Sequence, residues 1–91
     1  MTDRLILSDI HSLEEDLLKF ERKYGIRSEV FYTAYANGEE PENDEWVLDF
    51  GEWASVYRTW LARQAEYRNE IERIRQDKKS GSIAGLVRLA A

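Results

Sequence analysis

Apolar side chains recur at alternating steps of four and three residues through the second half of the chain. The series includes one polar residue, Gln64, and consists of Trp46, Phe50, Trp53, Tyr57, Trp60, Gln64, Tyr67, Ile71 and Ile74. This spacing places every member on one face of an α-helix. Asp44 and Glu45 suit the positive end of a helix dipole, and a Ser-Gly-Ser stretch follows Lys79. The pattern predicts one long helix over residues 44–78.

A shorter apolar series lies nearer the N-terminus and consists of Ile10, Leu13, Leu17, Phe20 and Tyr24. Ser12 with Glu15 matches a capping box, in which the two side chains satisfy N–H groups at the start of a helix. Gly25 suits the left-handed conformation that commonly ends one. We therefore expect a first helix over residues 12–24. The preceding Leu5-Ile6-Leu7 is compatible with a short strand or with a lead-in to this helix.

A second, short helix is predicted between these two, over residues 28–37. Ser28 is a favourable N-cap residue. The pair Asn37-Gly38 tolerates positive φ angles and so marks the end of the helix. The side expected to be buried carries Val30, Phe31, Ala34 and Tyr35.

The length of the predicted third helix constrains the architecture. At 1.5 Å per residue it would run ~50 Å, whereas a compact chain of this size has a radius of gyration of about 12 Å. We expect an all-α domain over residues 1–79, in which the first and second helices cover the aromatic half of the long third helix. The remainder would project as a coiled-coil-like arm and pair with a second copy through a dimer seam of Gln64, Tyr67, Ile71 and Ile74. Gln64 either sets the register of that pairing or marks the point where burial ends.

The last residues, 80–91, form an apolar tail. Ile83, Leu86 and Val87 are spaced as one face of a helix. An isolated helix shorter than about 12–15 residues is marginal in water. We therefore expect a flexible tail that orders only where its apolar side is sheltered, either on its own dimer or on a partner protein.

Acidic residues are concentrated between positions 39 and 52 of a chain whose formal net charge is −5. This stretch contains seven acids and no base, whereas residues 53–79 contain seven bases and four acids. Charge runs are usually solvated surface, so a solubilising loop is one interpretation. The other is a docking surface for a basic partner, formed by Glu39, Glu40, Glu42, Glu45, Asp49 and Glu52.

The residues that catalysis or metal binding would require are missing. The chain has no cysteine and one histidine, His11, and no serine has a His/Asp arrangement that could activate it. Glu45, Asp49 and Glu52 share a helix face that could hold a hard cation, but the alternating acids and central glycine of a calcium loop are absent. We expect an exposed acidic face, no metal, no cofactor and no enzyme activity.

Nucleic acid and membranes are also unfavourable partners. The first two helices have helix-turn-helix lengths, but residues 28–36 contain no Arg, Lys, Asn or Gln to recognise base edges. No stretch approaches the ~20 apolar residues that span a bilayer, and residues 1–10 lack the features of a signal peptide. We expect a cytoplasmic protein without direct nucleic-acid or membrane contact.

A set of residues between Leu13 and Trp60 occurs in a recognisable order: Glu21, Lys23-Tyr24-Gly25, Ser28, Phe31-Tyr32, Gly38-Glu39, Asp49-Phe50, Glu52-Trp53-Ala54 and Tyr57. In these residues the chain resembles a family of small bacterial and archaeal antitoxins encoded beside a ribonuclease-like toxin. The resemblance covers about half the chain, and the extended third helix and the tail from Gly81 depart from the family pattern.

The resemblance implies a non-catalytic protein that neutralises a cognate toxin by forming a tight complex. A toxin that acts on RNA presents a basic surface, which the acidic stretch and the apolar tail could contact. The alternative is a homodimeric helical scaffold or adaptor without a toxin partner, in which the acidic stretch only keeps the protein soluble.

Overall fold

The computed structural model describes residues 3–78 and 83–90, with the side chains of 4–76 and 83–87. These residues form four helices and no strand: α1 (Asp3–Tyr24), α2 (Ser28–Ala36), α3 (Asp44–Lys78) and α4 (Ile83–Ala90). The predicted all-α class is confirmed, as is the packing of α1 and α2 on the long α3. Among the described residues, no helix combines the length and the apolar character needed to cross a membrane.

Helix α1 begins at Asp3, well before the predicted start at residue 12. Ser12 therefore lies inside the helix, and the predicted capping box is wrong. Leu5-Ile6-Leu7 is helical, and Ile6 is only 5% exposed. Ile6 and Ile10 extend the same apolar face by one more turn, and their burial stabilises a segment whose local sequence is ambiguous.

Two glycines fix the ends of α1 and α2 as expected. Gly25 has a φ of 77°, and its N–H donates to the carbonyl oxygen of Glu21 at 2.8 Å. Gly38 has a φ of 88° and follows the last turn of α2. Both are left-handed positions, which glycine occupies at little cost.

The start and the buried face of α2 differ from the prediction in two respects. Ser28 is the first helical residue and Arg27 is the N-cap residue, without a side-chain cap bond. Phe31 is buried as expected, but Val30 is 57% exposed. The reason is that a nine-residue helix packed against two others presents only a narrow stripe to them.

Helix α3 spans the predicted residues, and the Asn43 side chain caps it by accepting the N–H of Trp46 at 3.0 Å. Helix α1 runs antiparallel to it. Lys23 near the end of α1 contacts Asp49 near the start of α3, whereas Asp9 near the start of α1 contacts Arg63 further along α3. The radius of gyration is 16.7 Å and the molecule measures 52 × 22 × 21 Å. The elongated shape follows from the long helix, as predicted.

The projecting arm is shorter than predicted. Asp9 of α1 pairs with Arg63 of α3. Because the two helices are antiparallel, Ile6, one turn earlier in α1, lies level with Tyr67, one turn later in α3. The extended α1 therefore runs alongside the turns of α3 that contain Gln64 and Tyr67, both half-buried, which were expected to lie beyond it. Only the last turns of α3, from Ile71, extend past α1.

The core lies where α1, α2 and α3 meet. Trp53 and Ala54 are completely buried, and Leu17 and Phe31 nearly so. Partly buried apolar and aromatic side chains surround this cluster: Phe20, Tyr24, Tyr32, Tyr35, Phe50, Val56, Tyr57 and Trp60. The aromatic half of α3 is therefore the structural centre of the chain.

Candidate functional site

A buried chain of hydrogen bonds fixes α2 against α1 and α3. The indole N–H of Trp53 donates to Ser28 Oγ at 2.9 Å, and the Ser28 hydroxyl donates to Glu21 Oε2 at 2.7 Å. The backbone N–H of Ser28 donates to the same Glu21 oxygen at 2.9 Å. Glu21 thus satisfies the start of α2 in place of a local cap, and the polar groups in the core have partners. This arrangement holds α2 where it forms one wall of the site described next.

An open groove of about 220 Å³ lies between α2, the connection from 37 to 43, and the first turns of α3. We call it the acidic groove. Its apolar lining is Ile26, Phe31, Ala34, Tyr35, Trp46 and Phe50, and its acidic lining is Glu39, Glu40 and Glu42. The groove combines aromatic faces with carboxylates.

The connection after α2 brings the glutamates to the aromatic residues. Gly38 turns the chain, its N–H donates to the Tyr35 carbonyl at 3.1 Å, and the N–H of Glu39 donates to the Ala34 carbonyl at 3.3 Å. The backbone therefore folds back on the last turn of α2. On the opposite side, Trp46 and Phe50 stack with ring centroids 5.5 Å apart.

The predicted docking acids separate into two groups. Lys23 Nζ lies 2.7 Å from Asp49 Oδ2 and 3.3 Å from Glu45 Oε2, and the Tyr24 hydroxyl donates to Asp49. The hydrogen bonds from Lys23 and then Tyr24 lower the pKa of Asp49. Burial, followed by the bond to Asp49, raises the pKa of Tyr24. Glu45 and Asp49 are thus engaged within the molecule.

The other four predicted docking acids carry uncompensated charge. Among the described side chains, no base forms an ion pair with Glu39, Glu40, Glu42 or Glu52. Three of these four residues line the acidic groove, whereas Glu52 is exposed on α3 outside it. The negative charge is therefore concentrated at one aromatic surface.

Helix α4 and the end of α3 form a second apolar surface. Leu86 and Val87 of α4 line a shallow depression of about 470 Å³ together with Tyr67 and Ile71 of α3, and three charged residues of α3, Arg68, Glu72 and Arg75, complete its lining. Ile83 and Val87 are 82% and 61% exposed. Residues 83–90, which belong to the tail that was expected to be flexible, are helical. The other seam members, Gln64 and Ile74, are half-buried. Residues 80–82 and 91 of the predicted tail lie outside the described part.

No cluster of three or more His, Cys, Asp or Glu side chains in the described residues could hold a metal ion. In the Glu45, Asp49 and Glu52 face considered above, Lys23 Nζ occupies the position between the first two carboxylates. An ammonium group therefore takes the place that a cation would need.

The aromatic side of the acidic groove was not identified from sequence. Tyr35, Trp46 and Phe50 were assigned to the core because their helical spacing predicts burial. One feature of the sequence could have indicated this surface. Within residues 31–50, a helix with aromatic residues is followed directly by three glutamates and then by the start of a second helix with aromatic residues.

The protein is thus an elongated all-α chain, and it carries an acidic and aromatic surface at the end formed by α2 and the start of α3. Comparison with family models, with curated proteins and with solved structures gives no match to this chain.

Proposed function

We propose that this chain is a non-catalytic protein-binding module, and specifically the antitoxin of a toxin–antitoxin pair that neutralises a basic, RNA-acting toxin in the cytoplasm by complex formation. The observation that supports it best is the acidic groove, in which Glu39, Glu40 and Glu42 lie beside the half-buried side chains of Tyr35, Trp46 and Phe50. The residues that resemble the antitoxin family support it separately.

The groove has the properties of a protein-binding centre. Aromatic side chains in pockets supply much of the binding energy of protein interfaces. Carboxylates around them attract a basic partner and accelerate its association. Glu39, Glu40 and Glu42 have no competing ion pair with a described residue, so their charge is available to a partner.

Most residues of the family resemblance have a structural role. Glu21, Ser28 and Trp53 form the buried hydrogen-bond chain, and Lys23 pairs with Asp49. They position α2 and the start of α3, the two sides of the acidic groove. The resemblance and the groove therefore concern the same half of the molecule.

Co-purification with the product of the adjacent gene tests the proposal. We expect a tagged form of this chain to retain a basic protein. We also expect growth arrest caused by that protein alone to be relieved when this chain is co-expressed. An adjacent product that is not basic, or growth arrest that persists in the presence of the chain, would contradict the antitoxin assignment.

A homodimeric scaffold is the second candidate, because α4 leaves Ile83 and Val87 exposed beside Tyr67 and Ile71. Light scattering of the isolated protein should give a dimer mass. Replacing both Ile83 and Val87 with Glu should give a monomer, whereas Leu48→Glu, at an equally exposed apolar position on α3, should leave the dimer intact. A monomer mass for the unmodified protein at micromolar concentrations would rule out the seam.

A further inference from the structure

The acidic groove is smaller than a typical ligand pocket, and three glutamates lie beside its mainly apolar lining. Its volume of about 220 Å³ is below the roughly 300–1,000 Å³ of pockets that hold drug-sized molecules. It is open to solvent and has aromatic residues from two helices on its walls. These dimensions suit a single inserted side chain.

The walls indicate the chemistry of that side chain. Tyr35, Trp46 and Phe50 line the groove with aromatic rings, and an aromatic ring attracts a cation placed over its face. Glu39, Glu40 and Glu42 offer carboxylates, which attract the same cation and accept its hydrogen bonds. An apolar or anionic group would leave this charge uncompensated.

The molecule contains an internal example of the same recognition next to the groove. Lys23 Nζ lies 5.5 Å from the centre of the Tyr24 ring while it contacts Glu45 and Asp49. Tyr24 in turn meets the groove residue Trp46 edge to face, with centroids 6.0 Å apart. One cation, the ammonium group of Lys23, is thus already held by an aromatic ring and two carboxylates beside the groove. The groove itself contains a similar set of aromatic rings and carboxylates, and its carboxylates form no ion pair with a described residue.

We propose that the acidic groove binds an arginine side chain of the basic protein partner. This inference rests on the proposed function, because it specifies how that partner would be recognised. Arginine suits the groove better than lysine. Its planar guanidinium stacks on aromatic rings, presents five N–H donors to several carboxylates at once, and is less strongly hydrated than an ammonium group.

Nuclear magnetic resonance titration with short blocked peptides tests the inference without the partner. A hexa-arginine and a hexa-lysine peptide are added to the full chain, and the indole N–H of Trp46 and the backbone amides of Glu39, Glu40 and Glu42 are followed. We expect these signals to shift, and the arginine peptide to bind roughly two- to fivefold more tightly than the lysine peptide, the difference that stacking supplies at an accessible site.

Two groups of variants separate the contributions of charge and of stacking. The triple variant E39Q/E40Q/E42Q should weaken binding of both peptides about tenfold, whereas E15Q/E66Q/E72Q, with the same change in net charge at exposed positions elsewhere, should have little effect. Trp46→Leu should retain lysine binding and lose the preference for arginine. Tyr35→Leu is a second variant that should likewise lose the preference for arginine. In each variant, an unchanged indole N–H signal of Trp53 shows that the protein is folded.

Equal affinity of the unmodified chain for the two peptides would overturn the arginine site, as would equal effects of the two triple variants. The proposed function can fail separately. If the adjacent gene product binds the chain but also binds E39Q/E40Q/E42Q and Trp46→Leu equally well, the partner is correct and the arginine site is wrong. If no basic product binds while the peptides are distinguished as expected, the arginine site stands without the antitoxin role.

Discussion

Trp53 shows at the scale of single residues how one side chain relates three helices. It lies on α3, and its ring stacks on Phe31 of α2 at a centroid distance of 3.9 Å and on Phe20 of α1 at 5.5 Å. Its N–H has Ser28 Oγ as acceptor. Because the ring has no exposed surface, no water can replace that acceptor.

Ser28→Ala is expected to destabilise the fold by about 1–3 kcal/mol, since it leaves the buried indole N–H of Trp53 without an acceptor. Urea unfolding followed by circular dichroism measures the change. Ser55→Ala, at an exposed serine on α3, serves as control and should stay within about 0.5 kcal/mol of the parent. If the Ser28→Ala protein is as stable as the control, the hydrogen bond from Trp53 to Ser28 makes no net contribution to the free energy of unfolding.

The ion pair of Lys23 with Asp49 makes stability depend on pH. Because the pKa of Asp49 is lowered in the folded protein, its contribution is present above the pKa of an unfolded aspartate, about 4. That contribution is lost as the pH falls through the lower pKa of the folded state. Asp49→Asn should therefore be less stable than the parent at neutral pH, and the difference in melting temperature should shrink in acid. A pH-independent difference for Asp49→Asn would contradict the assignment.

At the scale of elements, the start of α1 depends on α3. The first turns of α1 contain Ile6, which is buried, next to Leu5, which is 60% exposed. The two neighbours are similar in size and lie in the same helix, so their difference in burial comes from packing alone. The N-terminal turns of α1 thus belong to the packed structure.

This arrangement predicts that replacing two adjacent side chains with alanine lowers the free energy of unfolding by different amounts. Ile6→Ala should cost about 2–5 kcal/mol, as for other buried aliphatic side chains, and Leu5→Ala should change stability by about 0.5 kcal/mol or less. Urea unfolding of the two variants gives the comparison directly. Equal small effects would show that the first turns of α1 are not packed on α3 in solution.

At the scale of the whole molecule, charge is distributed unevenly along the 52 Å length. The acidic groove lies at the end formed by α2 and the start of α3, while the described bases of α3, from Arg58 to Arg75, follow towards its other end. Exposed charges act over about 8 Å at physiological salt. The proposed basic partner would therefore be attracted to one end of the molecule rather than uniformly by the net charge of −5.

The rate of association with that partner should respond to the position of the charges. E39Q/E40Q/E42Q is expected to slow association about tenfold at low salt and to flatten its salt dependence. The E15Q/E66Q/E72Q control has the same net charge and should retain both. Surface plasmon resonance over a salt series supplies the measurement. Identical on-rates for the two variants would reduce the acidic stretch to a solubilising loop.

Local rules were sufficient for much of the fold. The bounds of α3 follow from its apolar spacing and from Asn43 and Asp44 at its start, and Gly25 and Gly38 end the preceding helices because their backbone must adopt a positive φ. These signals act between residues close in the chain, so the sequence by itself determined them. It also determined the elongated shape, since no chain of this size can enclose a helix of that length.

Only the tertiary structure decided which acids are available and how far α1 extends. The sequence groups Glu45 and Asp49 with Glu39 and Glu42 as acids of one predicted docking surface, but the antiparallel register of α1 on α3 brings Lys23 to the first pair and leaves the second beside aromatic rings. The same register buries Ile6, whose local sequence allows strand or helix. Both outcomes depend on contacts between residues more than 20 positions apart, and such contacts are set by the packing of whole helices rather than by local preference.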